Sequence, residues 1–193
     1  MKKLLLFICG FFLIAFLAFQ ISARNTPQPP LTPTPSPRLP VSNSFNIPTH
    51  FSVPKLDIST NIEAVGLDNT GGMAIPKDYQ SVGWYRLGYK PGEKGSVVIA
   101  GHYDTPKGTP GVFYRISTLE KGDSIMVTDD KNNQLTYTVD KVEIYPLDTF
   151  PLQTVFASTD TYRLNLITCN GVFDRSTKLY NKRLVVFAVL KTP

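Results

Sequence analysis

Residue types able to do covalent chemistry are scarce in this 193-residue chain, which has two cysteines and two histidines. Cys169 closes the apolar run Leu164-Asn165-Leu166-Ile167-Thr168, and the turn signal Asn170-Gly171 follows it. A cysteine attacks as its thiolate, and a free thiol ionises only near about pH 8.5, so a nucleophilic role requires a basic partner. His102 is the stronger partner. It follows Gly95-Ser96-Val97-Val98-Ile99-Ala100-Gly101, an apolar run ending on glycine, and the end of a buried strand is where a rigid scaffold presents a reactive group. His50 lies at the edge of a proline-rich stretch and reads as a solvated side chain. Arg183 leads into Leu184-Val185-Val186-Phe187-Ala188-Val189-Leu190 and can aim a fixed positive charge across a sheet, where it would stabilise a developing oxyanion. Taken singly, each has a plainer reading: a core thiol, a packed or capping histidine, a solvated arginine. Together they supply the nucleophile, the general acid and base, and the oxyanion partner of acyl transfer.

The elements that must position these groups read as short strands. Candidates are Val53 to Ile58, Met73 to Ile75, Ser96 to Ala100, Ser124 to Thr128, Leu135 to Ile144, Arg163 to Thr168 and Leu184 to Leu190. Glycine-rich and charged turns separate them, such as Asp68-Asn69-Thr70-Gly71-Gly72 and Lys90-Pro91-Gly92-Glu93-Lys94-Gly95. Thr136 to Val142 alternates as a half-buried strand does. Helical signal is confined to turns at Gly111 to Leu119 and Gln153 to Ala157. Many short strands with turns between them predict an all-β barrel or sandwich, here one domain over 45–193.

Two zones precede that domain. Lys2-Lys3 and the apolar run Leu4 to Phe19 predict a signal anchor over 1–24. The run is close to the about 17 to 25 residues of a membrane span, and a bulky residue near Ile21-Ser22-Ala23 makes a poor cleavage site, so a retained anchor is favoured over a removed signal peptide. The lysines then stay cytoplasmic and the domain is exported. Cys9 reads as a passive lipid-facing residue. Residues 25–44, dense in proline with Thr and Ser between, predict an extended linker. The net charge of +5 does not point to nucleic acid: Lys2, Lys3, Arg24 and Arg38 lie outside the domain, and the other basic residues are scattered.

The segments Ile99-Ala100-Gly101-His102, Leu166-Ile167-Thr168-Cys169 and Arg183 before Leu184-Val185-Val186-Phe187-Ala188, in that order, resemble the sortase family. Gly83-Trp84-Tyr85 and Pro91 to Gly95 resemble the stretches preceding the histidine strand in that family. Asn170-Gly171-Val172-Phe173-Asp174 is most like class F, with classes D and E as neighbours. The resemblance implies a closed eight-stranded β-barrel with short helices or 3-10 turns, and a membrane-anchored cysteine transpeptidase of mainly Gram-positive bacteria. Carried onto this chain, Cys169 attacks the threonine carbonyl of a Leu-Pro-X-Thr-Gly sorting signal, and His102 protonates the departing glycine amine. Arg183 stabilises the oxyanion or holds the substrate, and Thr168 is a candidate for backbone or hydroxyl support of the oxyanion. The thioester is released by an amine, such as a cell-wall cross-bridge or a pilin lysine, or by water. Neither metal nor organic cofactor is implied, and no acidic cluster matches the calcium site of some class A members. Arg175 competes with Arg183, which is favoured because it leads into the terminal strand.

Other readings differ at particular residues. An L,D-transpeptidase carries histidine just before its cysteine, where this chain has Leu166-Ile167-Thr168; a papain-like hydrolase opens a helix with its cysteine. The non-enzymatic alternative is an exported binding module, or a degenerate sortase, on a proline-rich stalk.

Overall fold

A computed structural model describes residues 45–191. The expected anchor over 1–24, with Cys9, and the linker over 25–44 lie outside the described residues. Among the described residues no helix is long and apolar enough to cross a membrane.

Eight strands form a closed barrel: β1 Pro48–Val53, β2 Ile58–Val65, β3 Val82–Tyr85, β4 Gly95–Gly101, β5 Ser124–Asp129, β6 Gln134–Pro146, β7 Tyr162–Asp174 and β8 Leu179–Leu190. Their order around the barrel is β1-β2-β3-β4-β7-β8-β6-β5, and β5 returns to pair with β1. Two neighbouring pairs are parallel, β2–β3 and β4–β7. Among the described residues, helix is limited to 3-10 turns at Pro54–Leu56 and Ile116–Thr118 and one short helix, α1, at Leu152–Val155. The all-β barrel expected from the sequence is therefore present; the turn at Ile116–Thr118 lies inside its expected segment, α1 overlaps the expected Gln153 to Ala157 but starts at Leu152, and the turn at Pro54–Leu56 falls where a strand was expected.

Three boundaries differ from expectation. Pro54, which has no N–H to give a ladder, ends β1; a 3-10 turn and Asp57 at φ 57° then reverse the chain, so the expected strand Val53 to Ile58 is the corner between β1 and β2. The expected strand Met73 to Ile75 is a single bridge from Met73 to Leu67, and the element pairing with β2 and β4 is β3 instead. The third difference concerns the site. Neither Cys169 nor Arg183 stands at a strand end, because β7 runs on to Asp174 and β8 begins at Leu179. Asn170-Gly171 is a β-bulge and not a turn: the register slips between Asn170 and Phe173, and Gly171 has φ 89°. A Cβ there would run into the Asn181 side chain at a φ that side chains rarely adopt, so glycine is favoured.

Side chains alternate across each strand and fill two layers. Val97, Ile99, Leu164, Leu166, Leu184 and Val186 point into the barrel core. The intervening residues Val98, Val185 and Phe187 face outward and are covered by Val155 of α1, with Ile167 packed against them. The connection carrying α1 is tied down by Asn165, whose buried Nδ2 donates to Val155 O at 2.6 Å. The outer face of β4, β7 and β8 is thus a lined floor with a wall beside it.

Candidate active site

The functional side chains stand on that outer face. Along β7, Leu164, Leu166 and Thr168 are inward and buried, which turns Ile167 and Cys169 outward. Cys169 and Arg183 are direct Cα partners across the antiparallel β7–β8 ladder and so share a face. The parallel β4–β7 register pairs Ile99 with Leu166 and Ala100 with Ile167; carried two residues further, it brings His102 level with Cys169. Inward Ile99 puts Gly101 inward and His102 outward. Three segments far apart in sequence therefore converge on one side of one sheet.

The level of His102 is fixed by a buried tie. Thr168 Oγ1 donates to Gly101 O at 2.8 Å, joining the residue before the cysteine to the residue before the histidine. The hydroxyl that was a candidate for oxyanion support is spent on this tie. Gly101 has no room for a side chain, since a Cβ would lie 2.5 Å from the Phe113 ring. His102 is then buttressed from outside. Its Nε2 bonds Pro76 O at 2.9 Å, and its ring lies 4.4 Å from that of Tyr79. A carbonyl only accepts, so Nε2 carries the proton and Nδ1 is the nitrogen that exchanges one in the neutral ring. Glu63 accepts from the backbone N–H groups of Lys77 and Asp78, and Asp78 caps Gln80 and Ser81, so the segment holding the imidazole is itself pinned.

Cys169 is a free, half-buried thiol. Its pKa is raised: burial is the main cause, the nearby Arg183 guanidinium pulls it down, and Asp104 pushes it up. Arg183 is held in place by Nη1, which donates to Tyr180 O at 3.1 Å and Lys182 O at 2.9 Å. Arg175, the competing arginine, is exposed in the turn between Asp174 and Leu179 and has no place beside the thiol in the register.

Two groups near the thiol were missed by sequence reasoning. The Tyr180 hydroxyl donates to Asp104 Oδ2, bridging β8 to the chain leaving β4. Asp104 lies two places beyond His102, and an acid at that spacing was the only available signal.

A family model described as the sortase domain matches residues 51–191. The chain belongs to the sortase family. Its members are cysteine transpeptidases, and the arrangement of thiol, imidazole and guanidinium on one face suits acyl transfer. No curated protein matches by sequence. Among solved structures, this sortase is similar to sortase A of Listeria monocytogenes, with 25% identity and a TM-score of 0.56 over 75% of this chain and 86% of that one. It is similar to sortase C-1 of Actinomyces oris, with 19% identity and a TM-score of 0.59 over 75% and 72%. Sortase A from Corynebacterium diphtheriae aligns at 20% identity and a TM-score of 0.55 over 77% of this chain, which spans 62% of that longer chain.

Proposed function

We propose that this sortase is anchored in the cell membrane with its N-terminus cytoplasmic and its barrel outside. There it cleaves a C-terminal Leu-Pro-X-Thr-Gly-type signal between Thr and Gly and transfers the acyl group to an amine. The observation that carries the reading is the common face of Cys169 on β7, Arg183 on β8 and His102 directly after the end of β4. The sulfur of Cys169 attacks the threonine carbonyl, and Arg183 supplies the charge opposite the developing oxyanion. His102, held by Pro76 and Tyr79, gives the proton that lets the glycine amine leave, and a thioester remains. An incoming amine then forms the new amide and releases the thiol. Thr168 acts by keeping the histidine level with the cysteine. The residues Asn170 to Asp174 after the nucleophile support a place in class F, and Lys2-Lys3 before the apolar run from Leu4 supports the anchor and its orientation. Surface proteins bearing the signal, and a cell-wall peptide or lysine as acceptor, are the partners this reading implies.

The test offers the full chain a fluorogenic Leu-Pro-X-Thr-Gly peptide and follows product masses. Cleavage after Thr, with an acyl adduct on Cys169 in the quenched enzyme, is expected, and Cys169→Ala abolishes both. Equal turnover by the alanine variant would overturn the proposal.

A further inference from the structure

The Asp104 carboxylate is the one acidic group whose charge acts on Cys169, and the thiol chemistry described above gives it no task. It accepts the Tyr180 hydroxyl, yet none of the lysines or arginines among the described residues forms an ion pair with it. The surrounding groups are aromatic. Tyr103 lies 4.9 Å from Tyr114 and 5.7 Å from Tyr180, and Tyr180 lies 5.2 Å from Phe173, centroid to centroid. Burial pushes the pKa of Tyr103 and of Tyr180 up, so these phenols stay neutral and the negative charge of the cluster is that of Asp104. A half-buried carboxylate without a cation, walled by tyrosine rings, is a receptor for an ammonium group. The carboxylate takes its N–H donors, and ring faces attract its charge.

We propose that Asp104, with the Tyr103, Tyr114 and Tyr180 rings, forms the binding site for the protonated amine of the acyl acceptor. This inference rests on the thioester reading of Cys169. An acceptor amine is cationic near neutral pH, so it must be gathered as ammonium and deprotonated before it attacks. The cluster holds it beside the thioester carbon. One proton passes to neutral His102. The nitrogen lone pair forms the C–N bond, and the C–S bond breaks with its electron pair leaving on sulfur. The second proton lost from nitrogen ends on the Cys169 thiol. In the next acylation the imidazolium gives one proton and the attacking thiol the other to the amine of the sorting signal, which leaves as ammonium, so the proton count closes over one cycle. Asp104 thereby chooses a charged amine over neutral water or another neutral nucleophile.

The experiment uses the full chain, the same peptide, and two acceptors: glycylglycine amide, which is cationic, and hydroxylamine, which is uncharged near neutral pH. Acyl-enzyme formation on Cys169 is measured first by mass, and its absence in the unmodified chain would sink the thioester reading itself. With acylation established, the kcat/KM ratio for glycylglycine amide over hydroxylamine is compared between variants. Asp104→Asn is expected to lower that ratio about tenfold, the worth of one charge-assisted hydrogen bond. Asp104→Glu is expected to restore most of it. In the unmodified chain, added salt raises KM for glycylglycine amide and leaves hydroxylamine unaffected; this readout stands even if the asparagine variant fails to fold. An unchanged ratio in Asp104→Asn, or equal salt effects on both acceptors, would overturn the proposal.

Discussion

At the scale of single residues, the thiol is poised against reaction at rest. Burial outweighs Arg183, so Cys169 holds its proton above the range of a free cysteine. Alkylation follows the thiolate fraction. Its rate should therefore climb with pH through about 8.5 without levelling, as read by iodoacetamide labelling of Cys169. Arg183→Ala removes the group that pulls the pKa down and should slow labelling at any fixed pH, whereas Asp104→Asn removes a group that pushes it up and should speed labelling. A plateau well below the ordinary thiol range would contradict this. In the proposed mechanism His102 and Arg183 serve one transition state, so a double substitution should cost little more than either single one in kcat; fully additive losses would mean that they act separately. Cys169, His102 and Arg183 were legible in the sequence because each borders an apolar run. Asp104 and Tyr180 were not, because nothing local marks a carboxylate that meets its hydroxyl partner across the fold.

At the scale of elements, the site depends on how β4 is fixed to β7. Thr168→Val deletes the buried bond to Gly101 O and should cost about 1 kcal/mol of stability, with a larger proportional loss of turnover as His102 drifts from the level of Cys169. Gly101→Ala drives a methyl into the Phe113 ring and should cost about 1 to 3 kcal/mol, with a similar loss of kcat. Thermal melts set beside peptide turnover check both; normal kcat in either variant would show that the tie does not align the site. Strand interiors such as Ser96 to Ala100 and Leu184 to Leu190 were readable from apolar runs. Their ends were not. A glycine bulge at Gly171 looks in sequence like the turn it is not, and β3 with Val82-Gly83-Trp84-Tyr85 is too short to show a period.

At the scale of the whole molecule, closure of the barrel decides behaviour. The last seam joins β1 to β5, and Asp129 at the end of β5 serves it by accepting the Asn46 N–H, the Lys131 and Asn133 N–H groups and the Asn133 amide. Burial would raise its pKa, but these donors overcome that and hold it at about 2. A lowered carboxylate pKa stabilises above the unfolded value and ceases to do so as pH falls through the folded one. Asp129→Asn should therefore melt lower than the unmodified chain at neutral pH, and the gap should narrow between about pH 4 and pH 2. A constant gap would remove the carboxylate from the account. Because closure unites distant segments, refolding followed by the single, buried Trp84 should take milliseconds to seconds; microsecond refolding would mean that local structure dominates.

The groups proposed for chemistry stand outside the barrel, with the apolar filling on the far side of the same strands. An engineer can thus treat the two surfaces of one sheet as separate projects. Interior substitutions that keep volume, placed away from Gly101 and Thr168, should be tolerated without altering substrate choice. Changes confined to exposed residues of the exterior side should retune which peptide is taken, whereas changes at buried Val98, Val155, Val185 or Phe187 should also loosen the scaffold.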